Sequence, residues 1–230
     1  RFIEDKEITL FSPHDVPGLY ESFGTDKFDD LYVRYENSGV PSTRVKAQEL
    51  ILDLLKERAE TGRIYIMNID HCNSHSSFKD NIYMSNLCQE ITLPTYPINH
   101  IDDHLGEISL CILSAVNVGK IRSDEELEEL CDLSVRALEE LIDYQDYPVR
   151  AAEIATKARR SLGVGFIGLA HYLAKLGFKY DSQEAWDAVH GLSESFQYYL
   201  LKASNKIAQE KTHCENFGRT KYADGILPID

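Results

Sequence analysis

Three polar side chains of different chemistry occupy alternate positions in one short segment, Asn86-x-Cys88-x-Glu90. If the backbone is extended there, alternate residues point to the same side, so the amide, the thiol and the carboxylate face one space. An amide can orient a hydroxyl group, a carboxylate can accept its proton, and a sulfur can act as a nucleophile or carry a radical. The spacing therefore predicts a site for a hydroxyl-bearing substrate, and its alternative is an edge strand with a buried cysteine.

Two pairs of residues have spacings that occur in zinc sites, Cys72-x-x-His75 and His100-x-x-x-His104. The second pair lies in a segment rich in proline and aspartate, and 8 histidines among 230 residues make such pairs common by chance. A small metal-binding module is therefore a minor alternative, and we assign no metal ligand.

The pattern Gly163-x-Gly165-x-x-Gly168 matches the glycine spacing of dinucleotide-binding folds. That use needs a buried strand before the first glycine, whereas residues 157–160 read Lys-Ala-Arg-Arg. We therefore expect these glycines to permit tight packing between a strand and a helix.

Two further features are a second thiol, Cys111, in the apolar run at residues 107–119, and the adjacent rings of Tyr198 and Tyr199. The two tyrosines could form a redox pair. Their neighbours, however, have helical spacing, which predicts one ring in the core and the other partly exposed.

Composition limits the classes of protein to which the chain can belong. It has 24 Lys and Arg against 38 Asp and Glu, a net charge of −14, which argues against a surface for nucleic acid or anionic membrane. An apolar content of 43% excludes global disorder. Five cysteines suit a reducing compartment with mostly buried thiols, and we see no membrane span or signal peptide. The charged start without methionine leads us to expect a piece of a longer protein.

Apolar periodicity and capping residues predict the secondary structure. We expect helices at residues 26–36, 43–61, 123–144, 151–160, 166–176 and 183–211, and a buried strand at Ile64–Ile69. Thr43 and Ser123 are predicted N-caps, and Gly62 is a predicted C-terminal stop. Residues 1–24 should be mostly loop with a short helix near Val16–Phe23, and residues 162–167 are ambiguous. Strands interleaved with long helices indicate an α/β fold.

The segments Ser85–Ile91 and Leu110–Asn117 resemble the large, catalytic subunit of class I ribonucleoside-diphosphate reductase. Further similar segments are Phe11–Leu19, Thr61–Tyr65, Arg160–Gly165 and Tyr222–Pro228, so the likeness covers the whole chain. The resemblance implies an α/β fold that is part of the ten-stranded α/β barrel of ribonucleotide reductase and includes its finger loop. Residues 1–230 would then be a single segment of the catalytic barrel domain, incomplete at both ends.

The resemblance also implies roles for individual residues. Cys88 corresponds to the cysteine that becomes a thiyl radical and abstracts the 3′-hydrogen of the substrate ribose, and Glu90 to the base that takes the 3′-hydroxyl proton. Asn86 is similar to the amide that binds the ribose hydroxyls, and Leu87 completes the substrate-binding segment. Cys111 resembles one half of a redox pair whose partner cysteine is not in this chain.

The family relationship implies partners as well. The substrates would be ribonucleoside diphosphates, reduced to 2′-deoxyribonucleotides for DNA synthesis in the cytoplasm. This segment would bind no cofactor and no metal itself. The family needs a radical-generating metal cofactor in a small (beta) subunit, a dimer of large subunits, and thioredoxin or glutaredoxin as reductant, with no nucleic-acid or membrane partner.

Alone, the segment should be inactive, because several residues that act as a unit lie outside it. The alternative is a split-gene or non-catalytic piece that acts as an interaction partner within a reductase complex.

Overall fold

Residues 1–228 are described by the computed structural model, and they divide into two compact units. The first unit consists of Arg1–Pro94 together with Leu227 and Pro228, and the second is Thr95–Ile226. Across these described residues, no helix combines the length and the apolar character that crossing a bilayer requires.

The first unit begins with an antiparallel pair of strands. β1 (Glu7–Phe11) pairs with β2 (Ser42–Lys46), and Glu7 lies opposite Lys46. The expectation of mostly loop over the first 24 residues is wrong at β1. The predicted short helix near Val16–Phe23 is also wrong, because that stretch forms successive turns closed by bonds between residues three apart.

α2 (Ala47–Thr61) follows β2 directly, without an intervening loop. The predicted helix is therefore too long at its start, and Thr43 is a strand residue rather than an N-cap. The predicted stop is confirmed, since Gly62 has a left-handed backbone (φ 65°) and its N–H donates to the carbonyl of Arg58.

α1 (Asp26–Glu36), which the periodicity predicts correctly, packs aromatic rings against β1. The Phe11 and Tyr32 rings meet edge to face with centroids 5.5 Å apart, and Phe28 stacks on Tyr32 at 5.8 Å. The Tyr32 hydroxyl donates to the carbonyl of Thr9 at 2.7 Å and accepts from the Thr9 N–H at 2.7 Å. One phenol thus satisfies both backbone groups of a buried strand residue.

The predicted strand at Ile64–Ile69 is wrong. Among the described residues no strand pairs with this run, and both Tyr65 and Ile66 are exposed. The chain instead enters the short helix α3 (Ile69–His75). A β-rich sequence without a hydrogen-bonding neighbour has no means of satisfying its backbone groups as a strand.

The second unit contains β3 (Ile112–Asn117), α4 (Asp124–Tyr144), α5 (Arg150–Arg159), β4 (Leu162–Ile167), α6 (Leu169–Lys175) and α7 (Gln183–Glu210). Shorter 3₁₀ turns lie at Val118–Lys120, Glu215–Arg219 and Lys221–Asp224. The four predicted helices are present, but the one predicted at residues 166–176 is too long at its start, because Phe166 and Ile167 belong to β4 and α6 begins at Leu169. The ambiguous run is a strand. β3 and β4 are parallel and are joined through α4 and α5, which is the connection typical of α/β folds.

The core of this unit lies between the parallel strands and the two long helices. Val116 of β3, Leu127 and Cys131 of α4, and Leu192 and Phe196 of α7 form one buried apolar cluster. Across the helix pair, Arg136 donates to Glu210 at 2.6 Å and Lys202 donates to Glu128 at 2.6 Å. These exposed ion pairs add little stability, so the apolar cluster holds the helices together.

Arg160 ends α5 in a left-handed conformation (φ 49°), which costs energy for a residue with a side chain. Its guanidinium donates to Glu139 Oε1 at 2.7 Å and to both carboxylate oxygens of Asp143, at 3.0 and 2.8 Å. The hydrogen bond from Arg160 lowers the pKa of Asp143. These contacts to α4 offset the backbone cost and fix the point at which β4 begins.

The N-terminus of α4 depends on one predicted cap. Ser123 Oγ accepts the N–H of Glu126 at 3.3 Å, and the Glu126 carboxylate in turn accepts the N–H of Arg122 at 2.8 Å. We expect Ser123→Ala to lower the free energy of unfolding by about 1 kcal/mol, measured by urea unfolding.

Ser134→Ala, in the middle of the same helix, is the control and should be neutral. Equal unfolding free energies for the two variants would show that the cap contributes nothing.

Candidate active site

The segment with the predicted site residues is anchored by buried residues on both sides. Ile82 is fully buried, and its N–H and carbonyl are bound by the side-chain amide of Asn73, at 2.8 and 3.0 Å. Pro94 is also among the fully buried side chains. The loop between these two points therefore starts and ends at fixed positions.

The loop itself is closed by Asn86. Its carbonyl accepts the N–H of Gln89 at 3.2 Å, which makes a tight turn, and its side-chain Oδ1 accepts the N–H of Ile91 at 3.0 Å. Ser85 Oγ donates to the carbonyl of Ile91 at 3.0 Å. Two side chains at the start of the loop thus pair with both backbone groups of one residue at its end.

The premise of an extended backbone at this site is wrong. Leu87 and Cys88 are turn residues, and Gln89 has a left-handed backbone (φ 62°). The Asn86 side-chain bond that closes the turn competes with a strand ladder, and alternation on its own could not reveal it. Asn86, Leu87, Cys88 and Glu90 nevertheless lie together in one short turn.

Cys88 is a free thiol at an exposed position, and Leu87 beside it is 85% exposed. Glu90 is exposed as well. The interpretation of this segment as an edge strand with a buried cysteine is therefore wrong. The turn carries a sulfur, a carboxylate and an amide on a short exposed segment. The buried residues Ile82 and Pro94 anchor the chain on either side of it.

Cys111 belongs to the second unit and stands directly before β3. Its thiol is partly buried, and Sγ lies 3.9 Å from the carbonyl oxygen of Ile112. Gly163, on the neighbouring strand, faces it so closely that a Cβ there would lie 2.8 Å from Sγ. The prediction that the glycines of this motif permit tight packing is wrong for Gly165, which has no atom within 4 Å of an added Cβ. Gly163 is a packing residue, but it packs strand against strand rather than strand against helix.

The other cysteines differ from these two in their surroundings. Cys131 is completely buried, and burial raises the pKa of its thiol to about 11. Burial also raises the pKa of Cys214. A raised pKa keeps a thiol protonated and unreactive at neutral pH. The expectation of mostly buried thiols is wrong, since only Cys131 is fully buried.

Sequence reasoning missed the charged group that leads into Cys111. Glu107 accepts from Arg159 at 2.6 Å and from Arg219 at 3.3 Å, while its backbone pairs with Tyr96. Arg219 also donates to the Tyr96 hydroxyl at 2.8 Å. These residues are far apart in the sequence, so no local pattern signals the cluster. It fixes the chain four positions ahead of the redox candidate Cys111.

Asp103 organises the turn ahead of this cluster. Its carboxylate accepts the N–H groups of Asn99 and Leu105, at 2.9 and 2.8 Å. These backbone bonds hold the pKa of Asp103 at about 2. The carboxylate therefore stays ionised, and the proline- and aspartate-rich segment has a defined shape.

The remaining motifs are the two possible zinc-site pairs and the tyrosine pair. Within residues 1–228 no three His, Cys, Asp or Glu side chains come close enough to hold a metal ion. The Tyr199 hydroxyl donates to Asp124, which raises the pKa of Tyr199 to about 12, and the ring packs against the core. Tyr199 is partly buried against the core and Tyr198 is exposed, so the prediction that the two rings differ in this way is confirmed.

A family model described as the ribonucleotide reductase barrel domain matches residues 1–230. The chain belongs to this family. Over its whole length it is 57% identical to the ribonucleoside-diphosphate reductase subunit alpha of Haemophilus influenzae. It is 52% identical to ribonucleoside-diphosphate reductase 1 subunit alpha of Escherichia coli, and 50% to subunit alpha of Buchnera aphidicola from Schizaphis graminum. The chain spans 31% of the length of each of these relatives.

Membership of the ribonucleotide reductase barrel family confirms the resemblance seen at Ser85–Ile91 and Leu110–Asn117. It also confirms the predicted fold class, an α/β chain that is part of the barrel. The roles of the individual residues in this segment remain predictions, for which the turn at Asn86 supplies the geometry.

Two substitutions of Asn86 test whether its side-chain oxygen, rather than its NH₂ group, holds the turn. Asn86→Ala removes the acceptor for the Ile91 N–H, a bond worth about 1 kcal/mol, and should speed local hydrogen exchange roughly fivefold. Asn86→Asp keeps an oxygen acceptor and should leave the exchange of the loop unchanged. Hydrogen exchange of the peptide that contains Ile91, followed by mass spectrometry, measures both.

The peptide that contains Cys131 serves as internal reference, because neither substitution touches α4. Equal exchange of the Ile91 peptide in the Asn86→Ala variant and the unmodified protein would show that the side-chain bond does not hold the turn.

Proposed function

We propose that this chain is the part of a ribonucleoside-diphosphate reductase alpha subunit that contains the radical cysteine and one of the two reducing cysteines. The complete subunit reduces ribonucleoside diphosphates to 2′-deoxyribonucleoside diphosphates. The observation that carries the proposal is a free, exposed Cys88 on a fixed turn, in a chain that matches the reductase barrel family from end to end. The relatives that it matches are named for this activity.

Cys88 begins the reaction as a thiyl radical, which removes the 3′-hydrogen of the ribose. An S–H bond and a ribose C–H bond are close in strength, so hydrogen can pass to the sulfur and later return. The exposed position of Cys88 supports this role, because the sulfur must meet a sugar. The turn closed by Asn86 holds the sulfur in place, and held geometry lowers the barrier.

Glu90 and Asn86 act on the hydroxyl groups of the same sugar. Glu90 accepts the proton of the 3′-hydroxyl, and deprotonation at this oxygen makes loss of the 2′-hydroxyl easier. The turn uses Oδ1 of Asn86, which leaves the N–H groups of Nδ2 to donate to a ribose hydroxyl. One amide thereby shapes the turn and orients the substrate.

Cys111 supplies the reducing half of the reaction together with a partner cysteine outside this chain. The 2′-hydroxyl leaves as water and hydrogen takes its place on the carbon. The two thiols together lose two electrons and two protons and join in a disulfide. The position of Cys111, a partly buried thiol directly before β3, supports this role.

The proposal includes the other components that such a reaction needs. A small (beta) subunit carries the metal cofactor that generates the radical, and the designation of the relatives as subunit alpha supports such a partner. Thioredoxin or glutaredoxin reduces the disulfide again, and two large subunits associate. The reaction takes place in the cytoplasm, and residues 1–230 alone are inactive.

The radical role predicts that Cys88→Ser abolishes turnover in the complete subunit, because an O–H bond is too strong for the oxygen to replace the thiyl radical. Nucleotide binding should persist, since the turn does not depend on the sulfur. Steady-state turnover and equilibrium binding of a ribonucleoside diphosphate measure the two effects. Cys72→Ser is the control and should keep normal turnover; a fully active Cys88→Ser variant would reject the radical role.

The reducing role predicts a different pattern for Cys111→Ser. This variant should lose multiple turnover supported by a dithiol, while substrate binding and the thiol of Cys88 stay intact. Cys214→Ser, a partly buried cysteine of the same unit, should behave like the unmodified subunit. Undiminished turnover of Cys111→Ser would exclude Cys111 from the redox pair.

A further inference from the structure

Gly163 is the residue of β4 that faces Cys111. A Cβ built on it would lie 2.8 Å from the Cys111 sulfur and 2.5 Å from Cδ2 of Leu113. Ordinary contacts between a carbon and these atoms are near 4 Å, so no side chain fits at this position with its neighbours as they stand.

The backbone of β4 does not itself require glycine at this position. The φ angle of Gly163 is not positive, and its backbone pairs in register with Leu113 of β3. Glycine in a strand costs about 0.5–1 kcal/mol relative to alanine. The Leu113 side chain and the Cys111 sulfur, which together fill the space beside the strand, therefore account for the glycine, and the conformation of the chain does not.

Gly165 makes the comparison direct, because it lies two residues further along the same strand and on the same face. Its φ is not positive either, and among the described residues no atom outside its chain neighbours lies within 4 Å of an added Cβ. The two glycines differ in what they face, and one of them faces the sulfur.

We propose that Gly163 is a positioning residue for Cys111: its missing side chain keeps open the space that the sulfur occupies during thiol–disulfide exchange. This inference rests on the proposed redox role of Cys111. In exchange, an incoming thiolate attacks one sulfur of the disulfide, a new S–S bond forms as the old one breaks, and the leaving sulfur takes up a proton. The attack needs the three sulfurs in line, so a sulfur forced into another rotamer reacts slowly.

The test compares Gly163→Ala with Gly165→Ala in the complete alpha subunit assayed with its small subunit. Each variant adds one methyl group to β4. A misplacement near 1 Å can cost about a hundredfold in rate, so we expect kcat of Gly163→Ala to fall between about tenfold and a hundredfold. KM for the ribonucleoside diphosphate should stay unchanged. Gly165→Ala should keep both values.

A second readout reports on the sulfur without turnover. The rate at which iodoacetamide alkylates Cys111 in the reduced subunit, measured by peptide mass spectrometry, should fall in Gly163→Ala. The rate at Cys214 of the same molecules should not change. A general loosening of the unit would instead raise both rates.

Three outcomes separate this inference from the proposed function. If Cys111→Ser abolishes dithiol-supported turnover while Gly163→Ala and Gly165→Ala behave alike, the positioning role is wrong and the redox role stands. If Cys111→Ser turns over normally, the redox role fails and this inference fails with it. If Gly163→Ala does not fold, Leu113→Ala is added to remove the other close contact, and a normal alkylation rate at Cys111 in the folded double variant overturns the proposal.

Discussion

Backbone groups that no helix or strand pairs need other hydrogen-bond partners, and the loop with Cys88 obtains them from side chains. Residues 81–94 contain no helix or strand, so no ladder supplies these partners. Asn73 binds both backbone groups of Ile82, and Asn86 with Ser85 binds both of Ile91. Three short polar side chains thus take the place of a strand pairing and leave the tip of the turn exposed. A reactive sulfur can stand at such a tip without a mobile backbone beneath it.

Cys111, in the second unit, is held by regular secondary structure, because it lies directly before a paired strand. β3 is held by its parallel pairing with β4, by the apolar cluster beneath it, and by Glu107 bound to Arg159 just before it. Arg159 is almost completely buried, so its charge is costly without that partner. These contacts fix the backbone next to Cys111. The side-chain rotamer of Cys111 then depends on the residue that faces its sulfur, which is Gly163.

The sequence predicts the long helices of this chain well and its strands poorly, for a physical reason. Helices depend on neighbours three and four residues away, so periodicity and the Ser123 cap reveal α4 directly. β1 pairs with β2 across more than thirty residues, and nothing local at Glu7–Phe11 shows that partner. Ile64–Ile69 has strand composition but no such partner. The candidate site residues are assigned by their resemblance to the reductase family, since their type and spacing alone are a weak signal. The turn around them depends on a side-chain bond that spacing does not encode.

The cysteines of this chain differ in burial, and burial determines which reactions each thiol can undergo. Cys131 lies in the apolar cluster, where desolvation raises the pKa of the thiol to about 11 and an incoming reagent has no access. Cys88 is exposed, and the fold gives it a fixed turn instead. Cys111 lies between these extremes, since its thiol is partly buried and stands close to Gly163 of the neighbouring strand. A radical carrier must meet a sugar and an exchanging thiol must meet another thiol, so the proposed roles follow the accessibility of each sulfur.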